Sequence, residues 1–196
     1  MKNLLKLSCA AAIAFSATAA LAQSGNGSDV TGPPGGTTVT FAPLGVPGGA
    51  AGGGGGAGGG TPAQGQAGSN ALSNAGNTLR GGAPVTSPAT GQTIPAAAAS
   101  NVGQLISSGS PASVASLTGA LQAAGAPSGA TSTLAVALAA LAGATPGTSF
   151  GLIVSALNAF NAFVAAAPAS FFAGGTLPAQ FLAVHSALSS MSNAIQ

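Results

Sequence analysis

His185 and Asp29 are the only histidine and the only acidic side chain in the chain's 196 residues. Paired through a serine they would make the acid–base–nucleophile relay of a hydrolase, in which aspartate orients an imidazole that takes the hydroxyl proton. That pairing needs Asp29 to fold back across about 150 residues of sequence, and nothing in the sequence directs it to do so. A metal centre needs several ligands at once. With one His, one Asp, no Glu and Cys9 confined to the leader, the chain does not supply them. His185 stands one position off an apolar stripe and is expected to be an ordinary helix-surface or boundary residue. No catalytic, cofactor-binding or metal-binding residue is assigned, no cofactor is expected, and the chain is read as non-enzymatic.

Phosphate chemistry fares no better. Residues 52–60 are nearly pure glycine, but a phosphate-binding loop also needs a lysine and a strand–loop–helix setting. The lysines are Lys2 and Lys6, both near the N-terminus, and Arg80 is the single arginine. One arginine cannot neutralise a nucleic-acid backbone, so no nucleic-acid partner is expected. No small-molecule substrate is implied either. The sequence pI near 9.3 reflects the two leader lysines.

Those lysines open a secretory signal over residues 1–22. A basic n-region precedes a short apolar stretch from Leu7 to Phe15, and Ala20-Leu21-Ala22 forms a small-x-small cleavage site before Gln23. The stretch is too short for a stable bilayer anchor. Cys9 precedes most of it, which is the wrong place for a lipid-modified cysteine. Cleavage after Ala22 removes Cys9 and leaves no thiol. The expected location is therefore exported: periplasmic, cell-surface or extracellular. Asn26-Gly27-Ser28 fits a glycosylation acceptor by accident of composition.

The remainder divides near residue 92. Residues 23–92 hold 22 Gly and 7 Pro but only 8 Leu, Ile, Val or Phe. So little apolar surface does not offset a backbone ordering cost of roughly 1–2 kcal/mol per residue. This stretch is expected to be a disordered Gly/Pro-rich arm with a random-coil span of roughly 45 Å. Thr37-Thr38-Val39-Thr40-Phe41 has strand-forming residues and would fit an exposed sheet edge of another protein. A Thr-rich piece of linker is the preferred reading.

Residues 93–196 hold 27 Leu, Ile, Val or Phe and only 10 Gly, enough for a small core. Ser110 and Pro111 begin a helix whose Val114, Leu117, Leu121 and Ala124 share one face, and Gly125 and Pro127 end it. A second helix is expected over 131–142, with Leu134, Leu138 and Leu141 as its stripe. A third starts at Thr148 or Ser149 and ends before Pro168, with Ile153, Leu157, Phe160 and Val164 inward. A fourth runs from near Thr176 to about Asn193, with Phe181, Val184, Leu188 and Met191 aligned. A short helix over 96–106 is the weakest of the set. The prolines at 127, 146 and 168 give a repeat-like rhythm that Ala/Leu-rich helices produce by chance. Short loops imply antiparallel neighbours. The expected fold is mainly α: a small Ala/Leu-rich bundle of four to five short helices behind the arm.

The segment from Phe150 to Ala167 is uncharged and near the lower length limit for spanning a bilayer. Asn158, Asn161, Ser155 and Gly151 lie within it, and neither flanking Lys/Arg nor Trp/Tyr anchors are present. A buried helix of a packed body is the preferred reading. Near-zero charge on a Ser/Thr/Asn/Gln/Gly/Ala surface favours association. The open partner classes are therefore self-association, docking to a protein or envelope partner, and membrane association. The leading expectation is an exported structural or interaction protein. The competing one is a membrane-active protein using an apolar hairpin at 131–167.

Overall fold

A computed structural model describes residues 39, 41–47, 60–173 and 175–196. The signal segment, Asp29, Cys9, Asn26 and most of the glycine run lie outside these residues. Within them the chain forms seven α-helices and one two-stranded hairpin. The helices are α1 (Pro62–Arg80), α2 (Ala96–Ser108), α3 (Pro111–Ala123), α4 (Ser128–Ala140), α5 (Ser149–Ala166), α6 (Ala169–Phe172) and α7 (Ala179–Ala194). The strands β1 (Val85–Thr86) and β2 (Thr93–Ile94) pair antiparallel, with Val85 opposite Ile94.

The fold is mainly α, as composition and periodicity imply, but its boundary is not at residue 92. Helix α1 occupies 19 residues of the stretch expected to be a flexible arm. The correction has a local cause and a tertiary one. Locally, Thr61 and Gln64 form a capping box: the Gln64 amide donates to the Thr61 side chain while the Gln64 side chain accepts from the Thr61 amide. Pro62 sits where its missing N–H is harmless. In tertiary terms, Gly65, Gly68, Leu72, Ala75 and Leu79 are buried at alternating three- and four-residue spacing. The glycines on this face admit close neighbours. A Cβ at Gly68 would stand 3.0 Å from the Ser149 hydroxyl and 3.2 Å from Ile153 on α5. Where α1 meets α2, a Cβ at Gly103 would stand 3.0 Å from the Leu79 side chain. Glycine here serves helix proximity rather than freedom.

The cap is testable by itself. Thr61 is exposed, so Thr61→Ala should remove the hydroxyl that accepts from the Gln64 amide without disturbing the core, and lower unfolding stability by about 1 kcal/mol. Urea denaturation with an unchanged midpoint would show that α1 contributes nothing to the body.

Between α1 and α2, the β1–β2 hairpin turns through Gly91, whose φ is +68°. It inserts Ile94, which is fully buried. Helices α2 to α5 follow the expected segments within a few residues. The end of α3 is a Schellman motif: the Ala126 amide donates to Leu121 and the Gly125 amide to Gln122, with Gly125 at φ +91°. Ser110 does precede α3, but its hydroxyl makes no capping bond. Within α3 the buried set is Ser113, Leu117 and Leu121, while Ala124 is exposed.

Helix α7 lies at the centre. It packs on α1, α2, α3, α5 and β2. Only Ser190, Asn193 and Ala194, near its C-terminal end, are exposed, so its inward face is wide. Nine of its 16 residues are accordingly buried, including Leu182, Ala183 and His185 beside the expected Phe181, Val184, Leu188 and Met191. Phe160, Phe163 and Phe181 are the largest fully buried side chains and join α5 to α7.

Candidate functional site

The most elaborated surface of the body is the seam of α5, α6 and α7, where residues 39 and 41–47 lie against it as a strap. Phe41 is its anchor, 7% exposed. The Phe41 ring meets Phe181 edge-on at 4.9 Å between centroids, and contacts His185 at 5.1 Å and Phe172 at 5.9 Å. Such edge contacts are favoured by the ring quadrupole. Two polar clamps follow. The Leu44 amide donates to Asn161 Oδ1 at 2.9 Å, and Asn161 Nδ2 donates back to the Leu44 carbonyl at 3.0 Å. The Ser192 hydroxyl donates to the Gly45 carbonyl at 2.6 Å, and Gln196 Nε2 donates to that same hydroxyl. The Val39 amide donates to the Phe172 carbonyl at 3.4 Å.

Side-chain amides that engage both backbone groups of one residue hold an extended chain whatever its side chains. The apolar slot under Phe41 supplies the selectivity. The seam is thus built to hold an extended, uncharged segment with one aromatic anchor. Val39 and Phe41 belong to no strand, so this part of the Thr37–Phe41 run engages the chain's own helices; Thr37, Thr38 and Thr40 lie outside the described residues. Asn161→Ala should leave the helices intact while lowering stability by about 1–2 kcal/mol, because the Leu44 amide and carbonyl lose their partners together. Circular dichroism and urea titration check both halves of that expectation.

His185 is not the boundary residue expected from its position. It is 7% exposed, with its ring between Phe41 and Phe160, and its Nδ1 has no hydrogen-bond partner. Burial pushes its pKa below the usual 6.5. No titratable side chain faces it from the described strap residues, α5, α6 or α7; Arg80 is the only charged side chain among the described residues. Among the described residues no side-chain carboxylate is present to orient the imidazole, and its aromatic contacts are with Phe41 and Phe160.

The pH consequence has a definite sign. The folded state holds His185 neutral to lower pH than the unfolded state does, so the unfolded state binds more protons as pH falls below about 6.5. Stability is full above that value and declines until the lowered folded pKa is passed. With Asp29 as the single acidic side chain, almost nothing else titrates in this window. Unfolding free energy should fall as pH drops through and below about 6.5. His185→Phe should flatten the profile, and equal slopes in both proteins would contradict the assignment.

Arg80 is exposed at the end of α1, where it donates to the Gly76 carbonyl and Asn77 Oδ1 on its own helix. A cleft of about 400 Å³ lies between the start of α1 and the turn before α5, lined by Gly65, Gln66, Pro146 and Phe150 among others, with no ionisable group. Asn161, Ser192 and the anchoring role of Phe41 were not apparent from sequence. The one signal available was a polar residue within an apolar helix.

No known protein family, curated protein or solved structure matches this chain.

Proposed function

We propose that this is an exported, non-enzymatic structural or interaction protein of the cell envelope or extracellular space, whose helical body docks to itself, to a protein partner or to the envelope. The observation that supports the reading most is the surface of the body. Its exposed positions are occupied by Ser, Thr, Asn, Gln, Gly, Ala and Pro, with Arg80 as the single charge and Val136 as the single large apolar side chain in the described residues. A surface without mutual charge repulsion favours association over a dispersed monomeric state. The Gly/Pro-rich N-terminal stretch supplies the spacer between that body and its point of attachment.

Fractionation of the native producer with alkaline-carbonate washing tests the location. Recovery in the periplasm or medium, or as a washable envelope component, is the expected result. A deletion strain with unchanged envelope integrity, surface attachment and assembly would contradict the role.

A second reading is supported by α5, which has 18 residues at mean hydropathy 1.6 and is long and apolar enough to cross a bilayer. It packs against α4, so the two would enter a membrane as the hairpin at 131–167. Retention in carbonate-washed membranes together with leakage of dye-loaded liposomes would favour this reading. Intact liposomes at micromolar protein would remove it.

A further inference from the structure

The strap makes its side-chain hydrogen bonds at long range. The bonds of Leu44 reach 117 residues along the chain and that of Gly45 reaches 147. Its anchor, Phe41, likewise makes its aromatic contacts with α6 and α7. Residues 48–59, twelve Gly and Ala, provide its covalent link to the body. A segment held by its backbone and one ring, and joined through such a connector, has the attributes of a ligand that happens to be tethered.

We infer that the α5–α7 seam is a binding site for an extended, uncharged segment with an aromatic anchor, and that its occupant in trans is the strap of a second copy. The inference rests on the self-association reading above and gives it a mechanism. Every copy carries both the groove and the segment that fills it. An exchanged strap therefore makes the same contacts as a resident one, and two exchanges close a symmetric dimer. The balance is set by effective concentration: a short connector holds the resident strap at roughly millimolar levels, so at micromolar protein the strap stays in its own groove. At high local density, or where the connector cannot reach, exchange takes over. The uncharged segment and uncharged groove impose no electrostatic barrier to a second copy. A charged peptide, by contrast, would lose its solvation in a seam that offers it no counter-charge.

The test places a thiol on each side of the seam. A Cβ on Gly45 stands 3.9 Å from Ser192 Oγ, within reach of a disulfide between Gly45→Cys and Ser192→Cys. The pair is made in full-length protein with Cys9→Ser, once with the connector intact and once with residues 48–59 deleted. Leu44 is held at Asn161, while Gly60 stands beside Phe150, eleven positions earlier on the same helix and roughly 16 Å along its axis. Deletion of the connector therefore prevents a chain from filling its own groove. With the connector intact, oxidation at micromolar protein should give cross-linked monomer. With it deleted, oxidation should give a covalent dimer that reduction returns to monomer, while circular dichroism shows retained helix.

A connector-deleted protein that is helical but never cross-links between chains overturns the exchange, as does an intact protein that forms no cross-link at all. Sedimentation of the unmodified chain separates the two levels. Self-association without interchain cross-linking ends the strap exchange but leaves the docking surface, whereas a strictly monomeric chain ends both.

Discussion

Gly65→Ala should destabilise the protein by about 1–3 kcal/mol, whereas Gly119→Ala should stabilise it by up to about 1 kcal/mol. Both replace a helical glycine by the best helix former, so propensity predicts a gain at each. Packing reverses the first. A Cβ at Gly65 would overlap the carbonyl oxygen of Pro146, which is backbone and has no rotamer to escape into. Moving α1 outward to relieve the overlap would also stretch the bond from Ser149 Oγ to the Gly65 carbonyl, 2.6 Å and buried. At Gly119, on the exposed side of α3, nothing lies within 4 Å of the new methyl, so only the entropy of the unfolded chain changes. Paired urea titrations read the opposite signs. A neutral Gly65→Ala would mean that α1 does not pack on the loop before α5, and that residues 61–80 behave as the arm their composition implies.

Phe181→Ala should have the largest effect of any single truncation, about 3–5 kcal/mol. The ring is fully buried and touches Phe41, Phe160, Phe163, Phe171 and Phe172. Its loss leaves a cavity where α5, α6, α7 and the strap converge, and a collapse that filled it would have to move all four. For a body whose total stability is of the order of 5–15 kcal/mol, that is a large fraction. The strap should loosen together with the core, because Phe41 loses its edge-on partner. Limited proteolysis at the strap should therefore accelerate in parallel with the fall in melting temperature. A variant with near-normal stability would mean that the aromatic cluster is not the centre of the fold.

The legible parts of this fold were those where punctuation and periodicity coincided. Helices α3 and α4 follow from Pro111, Gly125 and Pro127 together with leucines on one face, and α5 from its apolar run ending before Pro168. Helix α1 carried comparable signals in Thr61, Pro62 and Gln64 and in the spacing of residues 65, 68, 72, 75 and 79. They were outweighed because glycine was counted as entropy lost rather than as proximity gained, and which of the two applies depends on what faces the glycine. His185 was misplaced for a related reason. It lies off the main apolar stripe of α7, but with five elements packed on this helix the buried face is wide enough to take it in.

The seam was the least legible feature. Asn161 looked like an obstacle to membrane insertion, and its partner Leu44 lies in a part of the chain where composition suggested no structure. Nothing local to either residue connects them. Their pairing arises only once α5 and α7 are side by side, with Ser192 aligned to take the next carbonyl. Polar residues within apolar helices of a nearly chargeless protein are where such tertiary partners should be sought, since each must be satisfied by something.

Sedimentation velocity of residues 23–196 over a range from about ten micromolar to about one millimolar tests the central claim, that a nearly uncharged helical body carrying its own exchangeable ligand acts through self-association. The account predicts a weight-average mass that rises with concentration and a dimer as the first associated species. A single monomeric boundary at every concentration would contradict it.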